Sequence, residues 1–107
     1  TIKEMRVMTL IVEGSNADAL RELADIFRQD YPDGLAVFAN VGEDGSVQLV
    51  ATASDALVKN GAHAGNLAKA IAGEIGGSGG GRPQLAQAGG KDAGKLKEIF
   101  ENIEKYL

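Results

Sequence analysis

MRVMTLIVEGSNADALRELADIFRQDYPDG, residues 5–34, sets the fold class. Met5–Glu13 alternates loosely and carries Val7, Leu10, Ile11 and Val12, the composition of a buried or half-buried strand. Gly14-Ser15-Asn16 breaks it, with Ser15 or Asn16 as the N-cap of a helix. Over Ala17–Asp30, Leu20, Leu23, Ala24 and Phe27 recur at helical spacing, and Tyr31 continues the stripe. Pro32-Asp33-Gly34 ends that helix as a turn. An amphipathic helix after an apolar strand needs a sheet on which to bury its stripe.

The next residues supply more of it. Leu35–Val41 and Ser46–Ala53 flank Gly42-Glu43-Asp44-Gly45, a hairpin signal in which Gly45 takes the positive φ of the turn. Val47, Leu49, Ala51 and Ala53 share one face of the second strand. Asp55–Lys59 reads as a connector closed by Asn60-Gly61. A second helix covers Ala62–Ile75, with Ala64, Leu67, Ala68, Ile71, Ala72 and Ile75 inside. Gln84–Ala88 fits an edge strand or a short turn. Asp92 caps a third helix whose core face is Leu96, Ile99, Phe100, Ile103 and Leu107. The expected architecture is α/β (α+β-like), a small mixed sheet of about four strands packed with three helices, in one domain over residues 1–107.

Composition removes several function classes. With no Cys, there is no disulfide, thiolate metal site or Cys nucleophile, and a lone histidine, His63, argues against a zinc site of several imidazoles. No apolar run approaches a membrane span and no signal-peptide pattern opens the chain, so a cytoplasmic, membrane-free domain is expected. The net charge of −4 is unevenly spread: residues 1–58 carry −6, residues 59–97 carry +4 and the last ten carry −2. The basic segment supplies the local positive charge that a polyanion needs.

Eleven of the 15 glycines lie between Gly61 and Gly94. Their densest run, Gly76–Gly81, has P-loop spacing, but Arg82 stands where Lys is needed and Pro83 where the metal-binding hydroxyl is needed. A dinucleotide fingerprint fails too, because Arg82 follows Gly81 where Gly or Ala is required. What is left is a rim of main-chain N–H donors beside one guanidinium, suited to a phosphate or carboxylate. Pro83 biases Arg82 towards an extended backbone. His63 and Asn66 read as plain surface on the polar side of the second helix, and Gln84 and Gln87 serve RNA or local backbone equally well. No aromatic residue lies between Phe38 and Phe100 to stack on a base.

Ala64-Gly65-Asn66-Leu67, followed by GGSGGGRPQLAQAGG at residues 76–90, resembles the C-terminal, or C-Ala, domains of alanyl-tRNA synthetases. These belong to the DHH-associated family shared with DHH phosphoesterases. The likeness is strongest over residues 61–94. Phosphoesterase members carry a His after the glycine triplet, whereas Arg82-Pro83 and Ala86-Gln87-Ala88-Gly89-Gly90 have the synthetase form. The resemblance implies a noncatalytic tRNA-binding fragment of a longer alanine–tRNA ligase chain, contacting the tRNA elbow and helping couple aminoacylation with editing. It further implies alanine-specific tRNA and the other synthetase domains as partners, a homodimer being left open, with no cofactor and no metal. The expected contacts are Gly79, Gly80, Gly81 and Arg82, with Lys59, Lys69, Lys91 and Lys95 as electrostatic support. The alternatives are the substrate-binding domain of a DHH-type phosphoesterase, and a docking or dimerisation module.

Overall fold

A computed structural model of the chain describes residues 6–14, 16–31, 34–59 and 61–102. Expectations resting on Met5, Ser15, Pro32, Asp33, Asn60, Ile103 and Leu107 lie outside these residues. Within them the chain runs β1 (Arg6–Glu13), α1 (Ala17–Asp30), β2 (Gly34–Val41), β3 (Val47–Ala53), α2 (Asp55–Lys59), α3 (Ala64–Glu74), β4 (Ser78–Gly81), β5 (Leu85–Gly90) and α4 (Ala93–Glu101). The strands form one sheet in the order β1-β2-β3-β5-β4. β1 and β2 are parallel, as a crossover through α1 requires, and the other neighbours are antiparallel.

The register explains how helices come to cover both faces of the sheet. Leu10 lies beside Phe38, Phe38 beside Val50, Val50 beside Gln87 and Gln87 beside Gly80. On that face Ala36, Phe38 and Val50 bury Leu20, Ala24 and Phe27 of α1. The alternate positions Leu35, Val37, Leu49 and Ala51 point the other way, into a larger core with Leu67, Ala68 and Ile71 of α3 and Leu96, Ile99 and Phe100 of α4. β2 is therefore buried from Gly34 to Asn40, and its near-continuous apolar composition follows from burial on both sides.

Local chemistry sets the element ends. Asn16 Oδ1 accepts the Ala19 N–H at 2.9 Å and starts α1. Gly45 takes φ +83° in the β2–β3 turn, where Asp44 Oδ1 accepts from the Ser46 hydroxyl at 2.7 Å and its N–H at 3.0 Å. These bonds hold the Asp44 carboxyl below its ordinary value, the hydroxyl being the larger cause. Their stabilisation is present above the ordinary carboxylate pKa and is lost as pH falls through the lowered one.

The expected α/β class and mixed sheet are observed, with five strands and four helices among the described residues instead of about four and three. The extra helix is Asp55–Lys59, expected as a connector, and the extra strand is the glycine run itself. Gln84–Ala88 resolves mainly as strand β5, which starts at Leu85 and lies inside the sheet between β3 and β4. β1 forms one edge, and Met8, Leu10 and Ile11 are exposed there. Ile71, fully buried between α3 and the sheet, is expected to cost ~2–5 kcal/mol when changed to Ala, whereas Lys69→Ala on the exposed side of the same helix stays within ~0.5 kcal/mol; urea unfolding of both variants checks this.

Candidate nucleic-acid interface

The glycine run is held between α3 and β5. At the C-terminal end of α3, Gly76 takes φ +72° and the Gly77 N–H reaches back to the Ala72 carbonyl at 2.8 Å, a Schellman closure. From there the main chain lies so close to its neighbours that Gly77, Gly79 and Gly81 have no room for a side chain. A Cβ at Gly77 would collide with the Gly89 carbonyl, and one at Gly79 with Ala88. A Cβ at Gly81 would lie 2.8 Å from the Ala86 Cα. The stretch expected as a rim of main-chain donors is an edge strand, and its glycines are the condition for its packing.

The first turn of α3 meets the other end of β4. The Ala64 N–H donates to the Pro83 carbonyl at 2.8 Å and the Gly65 N–H to the Arg82 carbonyl at 3.1 Å. The Asn66 N–H donates to His63 Nδ1 at 3.0 Å, and the Leu67 N–H to the His63 carbonyl at 3.1 Å. Three of the four N–H groups that open the helix, those of Ala64, Gly65 and Asn66, are therefore satisfied within the protein, and the Leu67 bond is the first of the helix ladder. His63, expected as plain surface, is the N-cap, and it delays the start of α3 from Ala62 to Ala64. The only sequence signal for this role is its place just before an alanine-rich helix, since His is an unusual cap.

The outward donors come from the strand. The Arg82 N–H bonds to the Leu85 carbonyl at 3.0 Å, closing the β4–β5 turn. Counting back through the antiparallel register, Gly80 and Ser78 face β5, while Gly79 and Gly81 direct their N–H groups to the open edge. Both are exposed, Gly80 is half-buried, and Arg82 stands exposed at the turn. The carbonyl of Gln84 is used internally, taking the Thr52 hydroxyl and the Ala53 N–H, each at 3.0 Å. Thr52, a buried hydroxyl that holds this turn to β3, carries no signal in the sequence because it sits in an ordinary strand pattern.

The basic residues are spread out. Lys59, at the end of α2, and Arg82 belong to the N-terminal end of α3. Lys69 is exposed midway along it. Lys91 lies at the other end, where its N–H donates to the Ile75 carbonyl at 2.8 Å, and Lys95 follows in the first turn of α4. With 11 residues, α3 is about 16 Å long, so these charges form a row rather than a pocket. Exposed acids lie on both layers: Asp18, Glu22 and Asp25 on α1, over the opposite sheet face, Glu43 and Asp44 at the hairpin tip, and Glu74, Asp92, Glu98 and Glu101 along α3 and α4 among the cations. Phe27, Phe38 and Phe100 are buried, so none of them offers a ring to a base. Among the described residues no three His, Cys, Asp or Glu could share a metal. An open groove of about 680 Å³ between α1 and α2 is lined by Asp25, Arg28, Gln29, Ser54, Asp55 and Ala56, and Arg28 Nη2 is already bonded to Asp25 at 2.8 Å.

A family model described as the DHHA1 domain matches residues 4–107. The chain belongs to that family. Among relatives of this DHHA1 domain, the alanine–tRNA ligase of Geobacillus thermodenitrificans is 44% identical over 101 residues, covering 94% of this chain and 11% of that protein. The alanine–tRNA ligase of a Roseiflexus species is 43% identical over 107 residues, all of this chain and 12% of that protein. The chain thus spans about an eighth of the length of these relatives. The crystal structure of the C-Ala domain from Aquifex aeolicus alanyl-tRNA synthetase superposes with a TM-score of 0.84 at 27% identity, covering 94% of this chain and 89% of that one. A DHH-domain member of the s1p family of ribosomal proteins matches less closely, with a TM-score of 0.55 at 25% identity over 86% of this chain and 21% of the other. Among the described residues, no helix is long and apolar enough to cross a membrane.

The junction yields a paired test. Gly65→Ala drives a methyl into the Gly81 carbonyl and is expected to lower stability by ~1–3 kcal/mol. Gly73→Ala, on the same helix with nothing within 4 Å, is expected to raise it by ~0.5–1 kcal/mol. Denaturant unfolding of both variants checks the pair.

Proposed function

We propose that this chain is the tRNA-binding C-terminal domain of an alanyl-tRNA synthetase, noncatalytic itself and working in the cytoplasm. The observation that carries the reading is the likeness to the Aquifex C-Ala domain over nearly the whole of both chains, together with alanine–tRNA ligase relatives at about 40% identity. The resemblance suggests the ligand as alanine-specific tRNA, held at its elbow. The physical basis is the open edge of β4 and the charges beside α3. Gly79 and Gly81 offer main-chain donors, Gly80 lets the RNA approach, and Arg82 supplies a fork for one phosphate. Lys59, Lys69, Lys91 and Lys95 add screened attraction along the row. With Phe27, Phe38 and Phe100 buried, recognition falls on backbone and shape more than on stacked bases.

Binding at the elbow leaves the acceptor end free for the catalytic and editing domains of the same long chain, which are the protein partners in this reading. A domain that holds one tRNA while its end moves between the two sites would couple aminoacylation with editing. The β1 edge, at the far side of the sheet from β4, exposes Met8, Leu10 and Ile11 and suits packing against the rest of such a chain. The weaker match to a DHH-domain protein keeps a phosphoesterase substrate domain as the second reading, but Arg82 stands where those members carry His.

Titration with alanine tRNA, another tRNA and a short single strand across a salt series tests this. Neutralising ~4–6 phosphates predicts a log–log slope of roughly −3 to −5. Arg82→Ala and a Lys91/Lys95 charge reversal are each expected to weaken binding to folded tRNA and flatten the slope, by about one unit per lost contact. Unchanged affinity in both variants overturns the proposed face. Equal binding to the short strand favours the phosphoesterase reading.

A further inference from the structure

The sheet face under α1 carries an apolar surface that the proposed RNA contacts do not use. β1 is an edge strand, and Met8, Leu10 and Val12 alternate with Thr9 and Ile11 so as to share the face of Phe38. α1 lies on that face but packs over β2 and β3. Its stripe of Leu20, Ala24 and Phe27 meets Ala36, Phe38 and Val50, and of the described β1 side chains only the half-buried Val12. Met8 and Leu10 are each left 40% exposed.

α1 supplies a wall beside this floor. Asp25, Arg28 and Gln29 turn towards α2 and mark one flank of the helix. At about 3.6 residues per turn, Leu23, Ile26 and Asp30 fall on the other flank, which a right-handed crossover from β1 to β2 sets beside β1. Leu23 is half-buried and Ile26 is 55% exposed. The border of the trough is acidic, with Glu13 at the end of β1 and Glu22 and Asp30 on α1 all exposed. Both cations of α1, Arg21 and Arg28, lie on the flank towards α2, and Arg28 is paired with Asp25 at 2.8 Å.

We propose that the trough between β1 and α1 is the docking site of a basic amphipathic helix from the remainder of the long chain that carries this domain. The inference rests on the reading of this chain as one domain of a synthetase, and it names how that partner is held. A helix laid along the outer side of β1 would lie about two strand spacings from α1, ~10 Å, the ordinary distance between packed helices. Its apolar face would cover Met8, Leu10 and Ile26, and Lys or Arg on its flanks would meet Glu13, Glu22 and Asp30. The same acids repel a polyanion, so this is not a second RNA surface. A second copy has no such helix to give, because α1, α3 and α4 bury their apolar faces in their own cores. The relatives are about eight times as long as this chain, and a segment tethered in the same polypeptide competes at ~mM effective concentration.

The test uses the purified full-length chain with p-benzoylphenylalanine in place of Ile26. Irradiation is expected to join position 26 to a Lys- or Arg-rich helix of the same polypeptide, identified by peptide mass spectrometry, with a yield that falls as salt rises from about 0.05 to 0.5 M. Met8 is a second readout. Ile26→Lys, at an exposed position, sets a cation against the docked helix, and Met8 is expected to oxidise at least ~tenfold faster in this variant than in the unchanged full-length chain. No cross-link, a cross-link to a second copy of this domain, or one to a segment without Lys or Arg overturns the proposal. Equal Met8 oxidation in the two proteins overturns it as well. Affinity for alanine tRNA is expected to be the same in Ile26→Lys, because β4 lies at the other edge of the sheet. If the unchanged chain binds no tRNA while position 26 cross-links as expected, the RNA reading falls and the docking site stands.

Discussion

The close approach of α3 to the main chain of β4 is the constraint on which the rest of the molecule depends. Two carbonyls of the β4–β5 turn take the first N–H groups of the helix, and the Ile75 carbonyl takes the Lys91 and Asp92 N–H groups at the other end. Helix and hairpin are thus joined at both ends, across a strand that has almost no side chains. Each glycine in a strand forgoes packing and costs backbone entropy. Here the absence of side chains is the packing, because Gly65, Gly77 and Gly79 have no room for a Cβ. The outcome is a sheet edge whose main chain is both ordered and exposed.

That edge acquires its chemical character from the layers around it. α1 covers the sheet face opposite α3 and α4, and it carries Asp18, Glu22 and Asp25 outward. Lys69 and Lys95 project from the other layer, with Arg82 and Lys91 at the two ends of β5. Exposed Glu74, Asp92, Glu98 and Glu101 share that layer, so its positive character is the modest excess of residues 59–97, +4 in a chain of net charge −4. The same arrangement separates two kinds of surface across the sheet: a glycine edge at β4 with main-chain donors, and an apolar edge at β1.

Much of the fold was legible because it rests on short-range rules. The α1 stripe of Leu20, Ala24 and Phe27, the inner face of α3 from Ala64 to Ile75, the Gly45 turn and the Asp92 cap each depend on residues a few positions apart, and each is found in place. The capping role of His63 was not legible, since an imidazole at an N-cap depends on a rotamer more than on a pattern. β4 escaped for a different reason. A strand of glycines has no alternation to read and no β-propensity, so nothing local distinguishes it from a loop. Asp55–Lys59 is too short for a periodic signal, and so its sequence reads as a connector.

By itself, then, the sequence determined the α/β class, the helical faces, the hairpin, the uneven charge and, through its glycine–Arg82–Pro83 motif, the family. Those are properties of neighbouring residues and of composition. Only the tertiary structure decided that β5 lies inside the sheet and β4 at its edge, that the first turn of α3 is already satisfied by Arg82 and Pro83, and that the cations form a row instead of a pocket. The physical reason is distance along the chain. Gly65 is constrained by Gly81, Ile75 bonds to Lys91, and Thr52 bonds to Gln84, so what each residue does is set by partners that only folding brings near.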